Sequence, residues 1–396
     1  MTACAVPQVA GWPDWDARLF QRTEFDALLR WCHLQGASDV LLKSGDHAAM
    51  IVNDALVDVT PTTVPREALF GVLREIHSAS VTSTVLAGEP ADFAYLVEAD
   101  DGRAIRFRCN ATAVKGIFGA SAEIALTLRA IPDLPPTVDD IALPDAVVAA
   151  CDARHGLVLV SGPTGSGKST TLAALIRRLA ESQRRNILTY EAPVEYDFSR
   201  LPGRQSRVSQ TEVPSQIPSF AEAVRNSLRR APDVIMVGEA RDAATISSSV
   251  RAATTGHLVL TTVHANDVAG VIPRMLDEFP PDERQGAAAR LVGTVRCMVQ
   301  QYLYPAADGG RIALREYLCI DNDLRRELEA CLFQGEGALV DLLRRAVPER
   351  GQCLVADAVA KRDAGLITPD TFRLVCLDAG VDPAVAARPS EELRHA

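Results

Sequence analysis

The chain has 396 residues, of which 47% are hydrophobic and 23% charged, and its formal net charge is −10 at pH 7. This balance excludes an intrinsically disordered chain, and the length predicts about two or three domains because single cores rarely exceed about 300 residues. The acidic charge argues against a broad nucleic-acid-binding surface. The nine cysteines contain no C-x-x-C pair, so the sequence predicts neither a zinc site nor a redox motif.

The sequence contains no signal for membrane insertion or secretion. No apolar run reaches the roughly 18 residues that a transmembrane helix needs. The first residues have neither a basic segment nor the long apolar core of a secretory signal. We therefore expect a cytoplasmic protein that docks on a membrane complex.

The first 130 residues mix helical and strand patterns. We predict an irregular arm at residues 1–22 and a mixed α+β domain at residues 23–130. A proline-rich stretch at residues 131–144 predicts a linker, whose first part, residues 131–138, is expected to act as a hinge. Within the domain, the periodicity indicates a helix at 25–31 and strands at 40–42, 49–52, 105–109 and 124–128.

Residues 145–268 have the alternating rhythm of an α/β core. A helix is predicted at residues 220–230, and after residue 269 the pattern is helical up to residue 385, with a polar tail at 386–396. The alternation predicts a mostly parallel sheet, because parallel strands need helical crossovers between them. The predicted strands are the apolar runs at 157–160, 187–190, 234–237 and 258–262.

The sequence between the first of these strands and the next helix is a complete phosphate loop, G-x-x-x-x-G-K-[ST]. Its glycines let backbone N–H groups point at bound phosphates, and the helix N-terminus adds its positive dipole end. Lys168 would reach the β- and γ-phosphates, and the Ser169 hydroxyl would hold Mg²⁺. We therefore predict binding of a nucleoside triphosphate, expected to be ATP, by Gly162, Pro163, Thr164, Gly165, Ser166, Gly167, Lys168, Ser169 and Thr170.

A second strand leads into the acid that hydrolysis requires. The run at residues 234–237 is followed by Gly238 and Glu239, where phosphate-loop enzymes usually have an Asp that holds the metal's water shell. A carboxylate must orient or deprotonate the attacking water, so Glu239 is the candidate general base. The alternative is a structural capping acid, and the missing Asp leaves the composition of the metal shell open.

Two further pairs are candidates for the γ-phosphate end of the site. Glu191 and Glu195 follow the strand at 187–190, at the sheet edge where ligands bind in α/β folds. Glu195 would hold Mg²⁺ through water, and the alternative is two solvated loop carboxylates. His257 and His264 flank another strand, where each either senses the γ-phosphate, bridges it to a subunit interface, or is structural.

The phosphate loop is followed in the chain by an acidic box at residues 191–195, the Gly-Glu pair and the two histidines. This order of motifs resembles the secretion ATPase superfamily of GspE/PilT-like proteins. The likeness covers residues 23–375 and is greatest for the DotB/TraJ branch of type IVB secretion and plasmid conjugation systems. Two departures count against a strict pilus extension or retraction motor: the double C-x-x-C insert and the Ala-Ile-Arg-Asn-Leu-Ile signature are both absent. The segments that are similar to that branch are 188–195, 224–230, 236–242 and 312–318.

The resemblance implies a RecA-like P-loop ATPase core, a mixed α+β PAS-like amino-terminal domain and a helical carboxyl-terminal region. It also implies a homohexameric ring, peripherally associated with inner-membrane secretion or conjugation proteins, in which the amino-terminal domain swings about the hinge during turnover. One or more arginines would neutralise transition-state charge, and surface ion pairing is the alternative for each. The candidates are Arg106 and Arg108 at the nucleotide, Arg225 and Arg229 in the central region, and Arg241 in the segment after the Gly-Glu pair.

The leading hypothesis is therefore a hexameric, Mg²⁺-dependent ATPase of a type IVB secretion or conjugative transfer apparatus. The alternatives are a PilT-like pilus motor, a DNA-dependent RecA-like helicase motor, and a nucleotide-gated scaffold without turnover. The acidic charge argues against the helicase, and no sequence-specific nucleic-acid binding is expected. The cargo, whether protein, DNA or pilin, stays open, as do the docking partner and the arginine that acts as the finger.

Overall fold

The computed structural model describes residues 21–52, 55–99, 104–116, 122–131 and 134–386. The chain falls into two compact units, residues 1–133 and 134–396. Most of the predicted arm and of the polar tail lies outside the described residues. Within the described part of the chain, no helix is both long enough and apolar enough to cross a bilayer.

The described residues of the first unit form an antiparallel six-stranded sheet with three helices. Its strands lie in the order β3-β2-β1-β6-β5-β4, and every neighbouring pair is antiparallel. The elements are α1 (Arg22–Leu34), β1 (Asp39–Lys43), β2 (His47–Val52), β3 (Ala55–Thr63), α2 (Arg66–Ile76), α3 (Val81–Leu86), β4 (Ala91–Glu98), β5 (Ala104–Lys115) and β6 (Ala122–Ile131).

Helix α1 shows why this unit holds together. Phe25, Leu28, Leu29 and Cys32 recur at the spacing of one helix face, and all four are buried. They share one core with alternate residues of the sheet, among them Phe107 of β5. The predicted helix and the four predicted strands are confirmed, whereas β3, β4, α2 and α3 were not predicted.

The second unit is built on a seven-stranded sheet in the order β13-β12-β7-β11-β10-β8-β9. All neighbours are parallel except β12 and β13, which form an antiparallel hairpin. The strands are β7 (Gly156–Ser161), β8 (Asn186–Glu191), β9 (Arg207–Glu212), β10 (Val234–Val237), β11 (Leu258–Val263), β12 (Val295–Pro305) and β13 (Arg311–Cys319). The helices are α4 (Asp145–Ala150), α5 (Lys168–Ser182), α6 (Phe220–Ser227), α7 (Ala243–Thr254), α8 (Val271–Leu276), α9 (Arg284–Thr294), α10 (Asn322–Cys331), α11 (Glu336–Arg350), α12 (Leu354–Asp363), α13 (Pro369–Asp378) and α14 (Pro383–Ala386).

Helices cover both faces of this sheet, so its central strands are buried throughout. Along β7, Leu157 and Leu159 join the core under α7, whereas Val158 and Val160 join the core under α5. Because both faces of the sheet are buried, most residues of these strands are apolar, and their sequences contain continuous apolar runs. All four strands predicted for this unit are confirmed, and the helix predicted at 220–230 ends at Ser227.

The carboxyl-terminal part departs from the sequence-based prediction. Residues 269–385 were expected to be helical, but β12 and β13 come from this stretch, and β12 pairs with β7 on the side opposite β11. The core sheet therefore does not end at residue 268. Its last two strands are supplied by the region beyond it.

The predicted linker at 131–144 is packed rather than free from residue 134 onward. Leu134, Val138 and Ile141 contact the core under α5. Arg177 Nη1 of α5 donates a hydrogen bond to the carbonyl of Pro135 at 2.6 Å. This connector, residues 134–143, belongs to the second unit, so residues 134–138 of the expected hinge are held on it.

Candidate nucleotide site

The phosphate loop, residues 162–167, joins β7 to α5 as predicted and depends on its glycines. Gly162, Gly165 and Gly167 have φ of 150°, 79° and 82°, a range that other residues rarely adopt. A Cβ atom on Gly162 would lie 2.3 Å from the backbone oxygen of Gln301, and one on Gly167 would lie 2.9 Å from Gln301 Nε2. The loop is therefore pressed against β12, and only glycine fits at these two positions.

Lys168 begins α5 and is buried against the loop. Its Nζ donates hydrogen bonds to the carbonyls of Gly162 at 2.9 Å and Pro163 at 2.8 Å. Burial lowers the pKa of Lys168, an effect that the nearby carboxylate of Glu239 opposes. A bound polyphosphate would supply the negative charge that this buried ammonium lacks.

The first turn of α5 places hydroxyl groups beside the loop. The Ser169 side chain is exposed, and Thr170 Oγ1 accepts a hydrogen bond from the Tyr196 hydroxyl at 3.4 Å. Because the first N–H groups of a helix have no intrahelical partner, this end of α5 is suited to an anion. Pro163 and Thr164 are exposed at the tip of the loop.

The strand β10 ends at Val237 and is followed by Gly238, where an Asp is usual. The Gly238 N–H donates to the Tyr190 carbonyl at 2.7 Å, and its own carbonyl accepts from Thr262 Oγ1 at 2.6 Å. A Cβ atom on Gly238 would lie 3.2 Å from the Tyr190 oxygen and 3.4 Å from Phe220 Cζ. A side chain is therefore tightly restricted here, and Glu239 is the first acid that follows β10.

Lys168, Glu239 and His264 are close enough to influence one another: the charge of Glu239 acts on Lys168, and both charges act on His264. The Glu239 carboxylate forms an ion pair with Arg241, Oε2 to Nε 2.6 Å, and its side chain is 23% exposed. Burial lowers the pKa of His264, and the positive charges of Lys168 and Arg241 lower it further. The backbone of Gly162 and the charge of Glu239 act on this pKa in the opposite direction. The structure thus brings four of the predicted side chains together at the loop.

His257 lies elsewhere. It precedes β11, and its Nδ1 is 2.9 Å from the Ala252 carbonyl. Leu258, the next residue, pairs with Gly156 at the start of β7, whereas the phosphate loop follows the other end of that strand. Within one chain, His257 therefore lies at the end of β11 remote from the phosphate loop and holds the turn between α7 and β11, which fits the structural alternative; a role at the γ-phosphate or at a subunit interface stays a prediction.

The acidic box is buried at one end and partly open at the other. Glu191 is 7% exposed at the end of β8, where it accepts hydrogen bonds from Thr189 Oγ1 at 2.7 Å and Gln210 Nε2 at 3.1 Å. Burial raises the pKa of Glu191, and the charge of Glu195 acts in the same direction. Glu195 is half-buried in the loop that carries Tyr196, the residue bonded to Thr170. The two carboxylates therefore have different environments.

The remaining arginine candidates are at the surface of their units. Arg225 and Arg229 are exposed at the end of α6, where Arg229 Nη1 donates to the Arg225 carbonyl at 3.1 Å. Arg108 is exposed and Arg106 half-exposed on β5 of the first unit. Their assignment to the nucleotide stays a prediction.

Sequence reasoning missed the residue that supports the loop. Gln301 of β12 is 2% exposed, and its Nε2 donates to the Ser166 carbonyl at 2.5 Å. Its Oε1 accepts from Thr171 Oγ1 at 2.8 Å and from Arg315 Nε at 2.7 Å. Paired glutamines inside an otherwise apolar run are a sequence signal of a buried polar position, although they do not show what it contacts.

Residues 137–306 match the model of the family described as type II/IV secretion system protein. The chain is also 32% identical over 310 residues to the type IV pilus retraction ATPase PilT of Pseudomonas aeruginosa, covering 77% of this chain and 86% of that protein. The chain belongs to this family. The superfamily predicted from the motifs is thereby confirmed.

Solved structures of the family share the fold. The DotB ATPase of Legionella pneumophila matches with a TM-score of 0.82 and 36% identity, over 93% of this chain and 98% of that one. The pilus retraction motor PilT with bound ADP matches with a TM-score of 0.75 and 30% identity, over 88% and 96%. The predicted α/β fold class with its mixed amino-terminal domain is confirmed.

Proposed function

We propose that the chain is a Mg²⁺-dependent ATPase that powers a DotB/TraJ-like type IVB secretion or conjugative transfer apparatus. The observation that carries this is the convergence of the phosphate loop, Lys168, Glu239 and His264 at one end of the sheet. Each of these residues has a role in phosphoryl transfer, which depends on positioning and charge neutralisation. The likeness to DotB over nearly the whole chain supports the choice of system.

In this proposal the loop N–H groups and Lys168 bind the β- and γ-phosphates of ATP. Mg²⁺ is usually held by one or two protein oxygens together with phosphates and waters, and the exposed Ser169 hydroxyl with Glu195 fits that donor set. The ion would neutralise charge on the phosphates. Glu239 orients the attacking water and accepts its proton, while Arg241 fixes the carboxylate between turnovers.

Assembly and location are part of the same proposal. The chain would form a homohexameric ring on the cytoplasmic face of an inner-membrane secretion or conjugation complex. Exposed arginines are suited to contact nucleotide across a subunit boundary, because their charges are not buried in their own unit. The candidates are Arg106, Arg108, Arg225 and Arg229.

A PilT-like pilus motor is the second candidate. The identity of 32% to a pilus retraction ATPase, over most of its length, favours it. Restoring secretion or conjugative transfer to a strain that lacks the gene would support the leading proposal, whereas restoring pilus retraction alone would support the pilus motor.

The biochemical test is steady-state ATP hydrolysis with Mg²⁺, with and without single-stranded DNA, with the mass of the protein measured in the same buffer. Lys168→Ala should lose nucleotide binding or turnover, and Lys43→Ala, at an exposed ion pair of the first unit, is the control. DNA-independent turnover by a hexamer supports the proposal. Strong DNA stimulation would favour a helicase, and a monomer that binds ATP without turnover would favour a scaffold.

A further inference from the structure

Gln301 contacts the phosphate loop at both of its ends. Its backbone oxygen lies 2.3 Å from the position of a Cβ atom on Gly162, and its side-chain amide lies against Gly167 and donates to Ser166 O at 2.5 Å. The backbone and the side chain of one residue of β12 therefore support the loop, and the side chain holds its Ser166–Gly167 end. That side chain is fixed in turn, because its oxygen accepts two hydrogen bonds.

One of these two donors is Arg315, the side chain opposite Gln301 on β13. Arg315 is 1% exposed. Its Nη1 donates to the carbonyls of Ile141 at 2.9 Å and Ala142 at 3.1 Å, both in the connector. Thus one guanidinium joins the residue under the phosphate loop to the segment that leads from the first unit into the second.

The surroundings make this link difficult to break. The Arg315 guanidinium donates hydrogen bonds to three uncharged oxygens, the amide oxygen of Gln301 and the two connector carbonyls. Asp357, the nearest acid, accepts instead from the Arg315 backbone N–H at 2.8 Å and from Lys361 Nζ at 2.5 Å. Burial lowers the pKa of Arg315 to about 10. A buried cation held by neutral oxygens is strongly disfavoured when one of them leaves.

We propose that Gln301 is a positioning residue for the phosphate loop, and that Arg315 couples the shape of that loop to the connector at residues 138–143. A shift of the loop on nucleotide binding or release then moves Gln301. Arg315 moves with Gln301 because its buried charge needs that hydrogen bond. The connector moves with Arg315, since its carbonyls accept hydrogen bonds from the same guanidinium. This inference rests on the proposed nucleotide site and adds how its state reaches the connector.

The first test separates positioning from stability. Gln301→Glu keeps an acceptor for Thr171 and gives Arg315 an ion-pair partner, but it replaces the donor to Ser166 O with a second carboxylate oxygen. We expect a folded protein with a cooperative thermal transition, with affinity for a fluorescent ADP analogue reduced about 10-fold or more. Wild-type affinity in a folded Gln301→Glu variant would overturn the positioning role.

The double variant Gln301→Leu with Arg315→Met removes both partners at once. Replacing both members of a buried polar pair by apolar groups is often close to neutral for stability. We expect a folded protein whose affinity for the same analogue stays reduced about 10-fold. A double variant that binds as tightly as the wild type would contradict the proposal.

The coupling is tested by amide hydrogen exchange of the connector, where the N–H groups of Ala142 and Leu143 are hydrogen-bonded. ADP should increase protection at residues 138–143 in the wild type, and Arg315→Lys should abolish this increase because a compact ammonium lacks the planar fork whose separate nitrogens donate to Gln301 and to the connector. Arg325→Lys is the matched control, because Arg325 also donates to two backbone carbonyls, those of Val292 and Val295.

The outcomes are distinct from those for the function itself. A wild type that binds no nucleotide contradicts the proposed function. A wild type that binds ADP without change in connector exchange, or an Arg315→Lys variant that keeps the change, contradicts only the coupling.

Discussion

Arg241 holds the carboxylate of Glu239 in an ion pair with Nε and Oε2 2.6 Å apart. The arginine side chain is 68% exposed, and exposed ion pairs contribute only about 0–1 kcal/mol. The pair is therefore easily opened. A carboxylate that a weak ion pair orients is suited to the role of general base that we propose for Glu239.

Glu239→Gln should slow ATP hydrolysis by about 10²–10⁴-fold and leave nucleotide binding intact, because the amide keeps the shape but cannot accept the proton. Single-turnover hydrolysis and equilibrium binding of ATP measure the two quantities. Glu278→Gln is the matched control, since Glu278 forms a similar ion pair with Arg274 at 2.7 Å and is 28% exposed. Unchanged turnover in Glu239→Gln would move the role of base to Glu195 or Glu191.

Glu191→Gln should be more stable than the wild type at pH 8. Burial raises the pKa of Glu191, so the folded state disfavours its charged form. That penalty grows as the pH rises above the unfolded value of about 4.5 and is absent when the group is protonated. Urea unfolding at pH 5 and pH 8 should give a difference that increases with pH. A difference independent of pH would show that the carboxylate is not the cause.

His264 should titrate below its ordinary value and be neutral at pH 7. Burial is the main cause of its lowered pKa, and the charge of Lys168 is the next. Proton NMR of the imidazole, assigned with His264→Gln, gives this pKa directly. Lys168→Ala should raise it, because one of the positive charges is removed. An unchanged pKa in Lys168→Ala would mean that the two side chains do not interact.

Gly238→Ala should destabilise the protein by about 1–3 kcal/mol, because a Cβ atom there presses on the Tyr190 carbonyl and the Phe220 ring. Gly293→Ala is the control. Gly293 lies in α9 with no atom within 4 Å of an added Cβ, so this change should stabilise by up to about 1 kcal/mol. Free energies of unfolding in urea test both. Equal effects would show that the backbone beside Gly238 yields without cost.

The sequence allowed the central strands and the phosphate loop to be predicted because their signals are local. A buried parallel strand is a short apolar run, and the loop motif fixes its own geometry. The hairpin of β12 and β13 escaped prediction because Gln300 and Gln301 interrupt its apolar pattern. Gln301 and Arg315 could not be assigned to the site, since only the pairing of β12 with β7 brings them there. Gly238 was noticed as an anomaly, but its cause, the nearby carbonyl of Tyr190, is a tertiary contact.

The place of β12 in the sheet has a consequence for synthesis on the ribosome. Residues 157–161 of β7 pair with residues 295–300, so the strand before the phosphate loop lacks its β12 neighbour until roughly 140 further residues have been made, although β11, its other neighbour, is made earlier. At about 5–20 residues per second, this delay is on the order of 7–28 s. A nascent chain therefore contains the entire phosphate-loop sequence well before β12 is present to support the loop conformation. Truncations that end between residues 170 and 294 contain every residue of the motif but lack β12, and they should lose the site.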